Sequence, residues 1–124
     1  WIEQMDEDNK NMTMIPLFDR NNDQQLGFDN VVVLFAFYVE YNRTLHNIDI
    51  WNNMAGKRAV FFRDGVMTEG LWKTVDKERP MQFCDQNGQP YALKPGHTWV
   101  VIAGLSSTFD QPQPGQFETY FFLP

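Results

Sequence analysis

The run Val31–Val39, "VVVLFAFYV", is apolar at nine successive positions. A strand with one face in water alternates polar and apolar residues. Here both parities are apolar, which predicts a central strand covered on both faces. A buried helix is the competing reading. The three successive β-branched valines at its start favour the strand, because branching at Cβ restricts χ1 in a helix and packs well on a pleated surface. The run is also far short of the ~20 apolar residues needed to span a membrane as a helix. A chain organised around such a strand must supply covering layers on two sides.

The rest of the sequence reads as short strands separated by turn chemistry. "LFDRNNDQQLGF" (17–28) places apolar pairs around a polar centre, the pattern of a strand end, a turn and a strand start. After a polar turn at Asn42-Arg43, Ile48 and Ile50 fall on one side of an alternating segment. Asp64-Gly65 is a type I′ hairpin pair between Ala59–Phe62 and Val66–Trp72, with Gly70 marking a bulge or a close backbone approach. "TVDKERP" reads as a loop or short helical turn, Asn87-Gly88 as a second hairpin turn, and Pro95-Gly96 as a third. In the strand that follows, Trp99, Val101 and Ala103 share one face, and Thr98, Val100 and Ile102 the other. "SSTFDQPQPGQ" reads as a polar loop and "FETYFFLP" as a final edge strand. The expectation is a mainly β, antiparallel architecture of about seven short strands, a sheet, sandwich or partly open barrel, with at most one or two short helices.

At 124 residues the length fits one domain. Residues 1–16 form a polar, acidic lead-in or a short helix ended by Pro16, and residues 17–124 the single β domain. The chain begins at Trp1, without an initiator Met or signal-peptide features, and reads as a piece of a larger protein or a processed product. A net charge of -6 argues against nucleic acid and against anionic lipid head groups as partners. The lone Cys84 excludes an internal disulfide.

Trp72 and Trp99 sit among apolar neighbours at strand periodicity and are expected to plug the core with Val32 and Phe61, rather than to serve as stacking platforms. Trp51, in polar surroundings, is the better exposed aromatic; with Arg58 and Arg63 it makes up the candidate binding set. "DRNND" (19–23) has the alternation of a calcium loop, but Gln24 and Asn30 stand where that loop needs Gly and Glu, so a polar hairpin tip is expected. His46, His97 and Cys84 fall at no metal-ligand spacing, and neither a metal nor a cofactor is expected. Neither Cys84 nor Ser106 has a triad-like context, and no catalytic residue is assigned. Asp64, Glu69, Asp76 and Glu78 lie at turns and strand ends as solvated acids. Asn11-Met12-Thr13 and Asn42-Arg43-Thr44 match the spacing of glycosylation sequons.

Three stretches occur in a specific order: "DNVVV" (29–33), "AGKRAVFFRDGVMTEGLWK" (55–73) and "GQPYALKPGHTWVVI" (88–102). Together they resemble the C-terminal domain of the YerB-like bacterial lipoproteins, the domain of unknown function family 3048, over residues 15–104. The resemblance implies a location outside the cytoplasmic membrane, a lipidated N-terminus not present in this chain, and a preceding companion domain. Cys84 is internal and is not a lipobox residue. It brings no catalytic residues. The functional expectation is a non-catalytic module that binds an envelope protein or polymer or supports its companion domain, without inserting into the membrane itself. The alternative is a hydrolase-like domain acting on envelope glycan or peptide, its site completed by the companion domain.

Overall fold

In the computed structural model the described residues are 3–5, as backbone only, and 14–122. All regular elements among them are strands: β1 (Glu3–Met5), β2 (Met14–Pro16), β3 (Asn30–Asn42), β4 (Leu45–Asp49), β5 (Lys57–Arg63), β6 (Val66–Lys73), β7 (Gln82–Asp85), β8 (Thr98–Gly104), β9 (Thr108–Gln113) and β10 (Gln116–Tyr120). The mainly β reading therefore holds, in ten strands rather than about seven. β1 pairs antiparallel with β2. The helical option for residues 1–16, the position of Trp1 and the first sequon fall wholly or partly outside the described residues.

β3 organises the main sheet. Its first half pairs antiparallel with β5 from Asn30 to Leu34 and parallel with β8 from Asn30 to Ala36, and its second half pairs antiparallel with β4. The sheet continues from β5 through β6 to β7. Even-numbered residues of β3 (Val32, Leu34, Ala36) join Ala59, Phe61 and Trp72 in one core, covered by Ile48, Ile50, Met81, Phe83, Tyr91 and Leu93. Odd-numbered Val33 and Phe35 join Val60 and Ala103 in a second core, against which Phe109 of β9 packs. The two-sided apolar run thus becomes a two-sided strand. No barrel closes among the described residues, because the β9–β10 ribbon is a separate two-stranded sheet laid over the second core.

Local chemistry explains the hairpins. Asp64 and Gly65 both have positive φ (53° and 74°), as a two-residue hairpin turn of this hand requires. At Gly70 the expected close approach is present without a bulge: a Cβ there would run into the Cys84 carbonyl oxygen and the Phe61 ring. That clearance lets Phe61 stack on Tyr91, with centroids 4.2 Å apart. Asp19 and Asn22 accept backbone N–H bonds from Asn21 and Gln24, so "DRNND" is a self-capped turn.

Two features depart from the sequence reading. The β3–β8 pairing is parallel, within an otherwise antiparallel structure. It is clamped by Asn30, buried to 1% exposure, whose amide donates to the Lys94 carbonyl (2.8 Å) and to Thr98 Oγ1 (3.1 Å) while its oxygen accepts from Lys94 N (2.8 Å). Asp29 adds a second tie by accepting from His97 N at 2.8 Å. The other departure is "SSTFDQPQPGQ", which contains β9 rather than only loop. A two-stranded ribbon leaves one edge of each strand unpaired, and Pro112 is tolerated there.

Candidate functional site

Trp72 is fully buried, and its indole N–H donates to the Phe35 carbonyl at 3.0 Å. Val32 and Phe61 are buried beside it. Trp99 differs: it is half-buried on β8, edge-on to Phe28 at 4.7 Å. A strand with a neighbour on one side only leaves part of a ring this large uncovered. Cys84 is buried on β7.

The structure does not bring Trp51, Arg58 and Arg63 together. Arg58 and Arg63 lie at opposite ends of β5 and on opposite faces of the sheet. Arg58 grips Glu69 through two hydrogen bonds (3.0 and 2.6 Å) with its guanidinium 4.4 Å from the centroid of Phe35. The Glu69 hydrogen bond raises the Arg58 pKa, so this charge is locked into an ion pair. Arg63 lies over Tyr91 and donates to the Ala92 carbonyl. Both arginines tie the sheet together. The acids are similarly engaged: Asp64 with Lys94 at 2.7 Å, Asp76 with Arg79 at 3.8 Å, Glu78 with Lys77 at 3.7 Å. Among the described residues, no cluster of three or more His, Cys, Asp or Glu is placed to hold a metal ion.

Trp51 belongs to a different arrangement. The chain after β4 runs beside the end of β6: Thr74 Oγ1 donates to the Ile50 carbonyl, Asn52 N to the Val75 carbonyl (3.2 Å), and Thr74 N to the Asn53 carbonyl (3.2 Å). Asn53, itself buried, donates its amide to the Trp72 carbonyl at 2.6 Å. These bonds leave Trp51 (44% exposed) and Met54 (65% exposed) facing water. Of the two, Met54 borders an open groove of about 390 Å³, which it lines with Lys73, Thr74, Val75, Arg79, Pro80 and Gln82. Its volume is in the ~300–1,000 Å³ range of ligand clefts. Lys73 has no ion-pair partner among the described residues, so an acidic protein presents an apolar floor with local positive charge here. Sequence reasoning reached Trp51 but missed Met54, Lys73 and Arg79, because the groove arises from pairing between segments about twenty residues apart.

Comparison with known proteins agrees with this fold. No curated protein gives a significant match. The crystal structure of the YerB protein from Bacillus subtilis is similar, with a TM-score of 0.56 and 22% identity over 68% of this chain. The match covers 28% of that protein's chain, so the sequence described here spans less than a third of its relative's length. The family model described as "Protein of unknown function (DUF3048) C-terminal domain" matches residues 5–100, a span that contains the central strand, the Asp64-Gly65 hairpin and the Asn30 clamp. The chain belongs to the DUF3048 C-terminal domain family.

Proposed function

We propose that this domain is a non-catalytic binding module of a lipid-anchored bacterial protein, working outside the cytoplasmic membrane beside a preceding companion domain. The observation that carries the binding role is the groove lined by Lys73 and by Met54, three residues along the chain from the exposed Trp51: an exposed Met adjoins a lysine with no ion pair among the described residues, while the other candidate charges are spent on structural ties. Apolar surface next to unpaired positive charge suits an acidic envelope polymer, with the aromatic and Met side chains contacting its backbone and Lys73 its anionic groups. The family resemblance supports the anchored location, and the greater length of the YerB chain supports a companion domain.

The test is cosedimentation of the chain with purified cell-wall polymer, comparing wild type with Trp51→Ala and Lys73→Glu. Retention of wild type that is largely lost in both variants, with unchanged melting temperatures, is the expected outcome. Equal retention of all three proteins removes the groove from consideration. Release of soluble glycan or peptide fragments by the longer protein, abolished by substitutions in this domain, supports the hydrolase alternative instead.

A further inference from the structure

Side chains, not backbone bonds, hold the β9–β10 ribbon on the main sheet. Its two strands pair with each other, and among the described residues no backbone hydrogen bond connects either of them to β3–β8. A lone two-stranded hairpin is marginal in water, so the order of this one rests on its docking. Aromatic rings and one guanidinium supply that docking. Phe109 lies 5.6 Å from Phe35 and 5.8 Å from Phe62, centroid to centroid, and Phe117 lies 5.0 Å from Phe62. The Arg58 guanidinium, paired with Glu69, stands 4.4 Å from the Phe35 centroid and 5.8 Å from that of Phe109. Other features of the ribbon weaken its own pairing. Asp110 and Glu118 are direct cross-strand partners, and like charges so placed repel. Pro112 withholds a ladder donor where the register shifts. The base of the ribbon is fixed. Ser107 is buried, its N–H donates to the Gly104 carbonyl at 3.0 Å, and its Oγ accepts from Phe122 N at 3.1 Å, so both strands leave from one residue. β9 and β10 also follow the span 5–100 that the family model matches.

We infer that the ribbon is a hinged cover, which swings off the second core about Ser107 and uncovers the apolar face of Val33, Phe35, Val60 and Phe62 while the main sheet stays folded. The main sheet keeps all its strand pairings in the open state, because none of them involves β9 or β10. The core around Trp72 lies on the opposite face of β3 and is untouched. Opening gives up the contacts of two rings and one guanidinium, a small part of what global unfolding gives up, so the open form belongs to the accessible end of the native ensemble. Once undocked, the hairpin loses the support on which its pairing rests, and its amides meet water. The Met54 groove is built from other segments, and the inference does not depend on what that groove binds.

Native-state hydrogen exchange of the chain, at denaturant concentrations below its unfolding transition, reads the opening without a mutation. The amides of β9 and β10 should exchange as a group, about tenfold or more faster than the slowest amides of β3, β5 and β6, and with a weaker dependence on denaturant. In the Phe109→Ala/Phe117→Ala double variant the open form should become the resting state. Ribbon amides should then exchange at the rate of an unstructured peptide, while β3, β5 and β6 remain protected. A dye that fluoresces on apolar surface should bind this variant more strongly than wild type, reporting the uncovered Phe35–Phe62 face. Ribbon amides of wild type that exchange together with those of the main sheet, with the same denaturant dependence, overturn the inference, because the ribbon then leaves only when the whole domain unfolds. A ribbon still protected in the double variant overturns it too, as does a double variant whose main sheet loses protection along with the ribbon.

Discussion

Trp72 and Trp99 stand on strands of similar apolar character, yet the surroundings of the two rings differ. Around Trp72, β6 has a neighbour on each side, the ring has no exposure, and its N–H reaches the Phe35 carbonyl across the sheet. Around Trp99, β8 has one neighbour and the ring leans on Phe28. Strand periodicity decides which face a side chain takes. How deeply it is buried depends on how many strands flank it, and that is a non-local property.

The largest expected effect sharpens this contrast. Trp72→Ala removes a fully buried ring and strands the Phe35 carbonyl, and it should cost ~3–5 kcal/mol. Trp99→Ala removes a half-buried ring and should cost about half as much. Chemical denaturation of both variants measures the difference. Equal losses would mean that the edge region is as tightly packed as the interior, and the comparison would break.

The same contrast explains which parts of the fold were legible. The central strand and the Asp64-Gly65 turn are encoded locally, by a run of apolar residues and by a dipeptide suited to positive φ. The parallel pairing of β8 is encoded by Asn30, a residue more than sixty positions from its partners Lys94 and Thr98, and nothing in its neighbourhood announces that role. β9 was hidden by Pro112, which excludes a central strand and is compatible with a ribbon edge. For the candidate site, the Arg58–Glu69 pair had a readable signal. Counting outward from the two-residue turn places Arg58 opposite Leu71 and Glu69 opposite Val60, one diagonal step apart on the same face. The Arg63 bond to a loop carbonyl had no such signal, and neither did the groove bordered by Met54.

The smallest effect expected is at the tie between the β5–β6 turn and the lead-in to β8, which touches only the Trp99 side of the molecule. Lys94 donates to Asp64 at 2.7 Å, and that hydrogen bond holds the Asp64 carboxyl below its ordinary range while raising the Lys94 ammonium above its own. Asp64→Asn should preserve the turn, since Asn also tolerates the positive φ of 53°, and remove only the ion pair. A carboxyl with a depressed folded-state pKa stabilises the fold above its unfolded-state pKa, and the contribution disappears as pH falls through the folded-state value. The mirror argument for Lys94 removes it again as pH rises through the raised lysine value. The melting temperature of wild type should therefore exceed that of the variant slightly at neutral pH. The gap should close in strong acid and at high pH and shrink with added salt, because both groups are exposed. A gap that persists unchanged into strong acid would show that Asp64 acts through the turn backbone and leaves the β8 lead-in anchored by Asn30 and Asp29 alone.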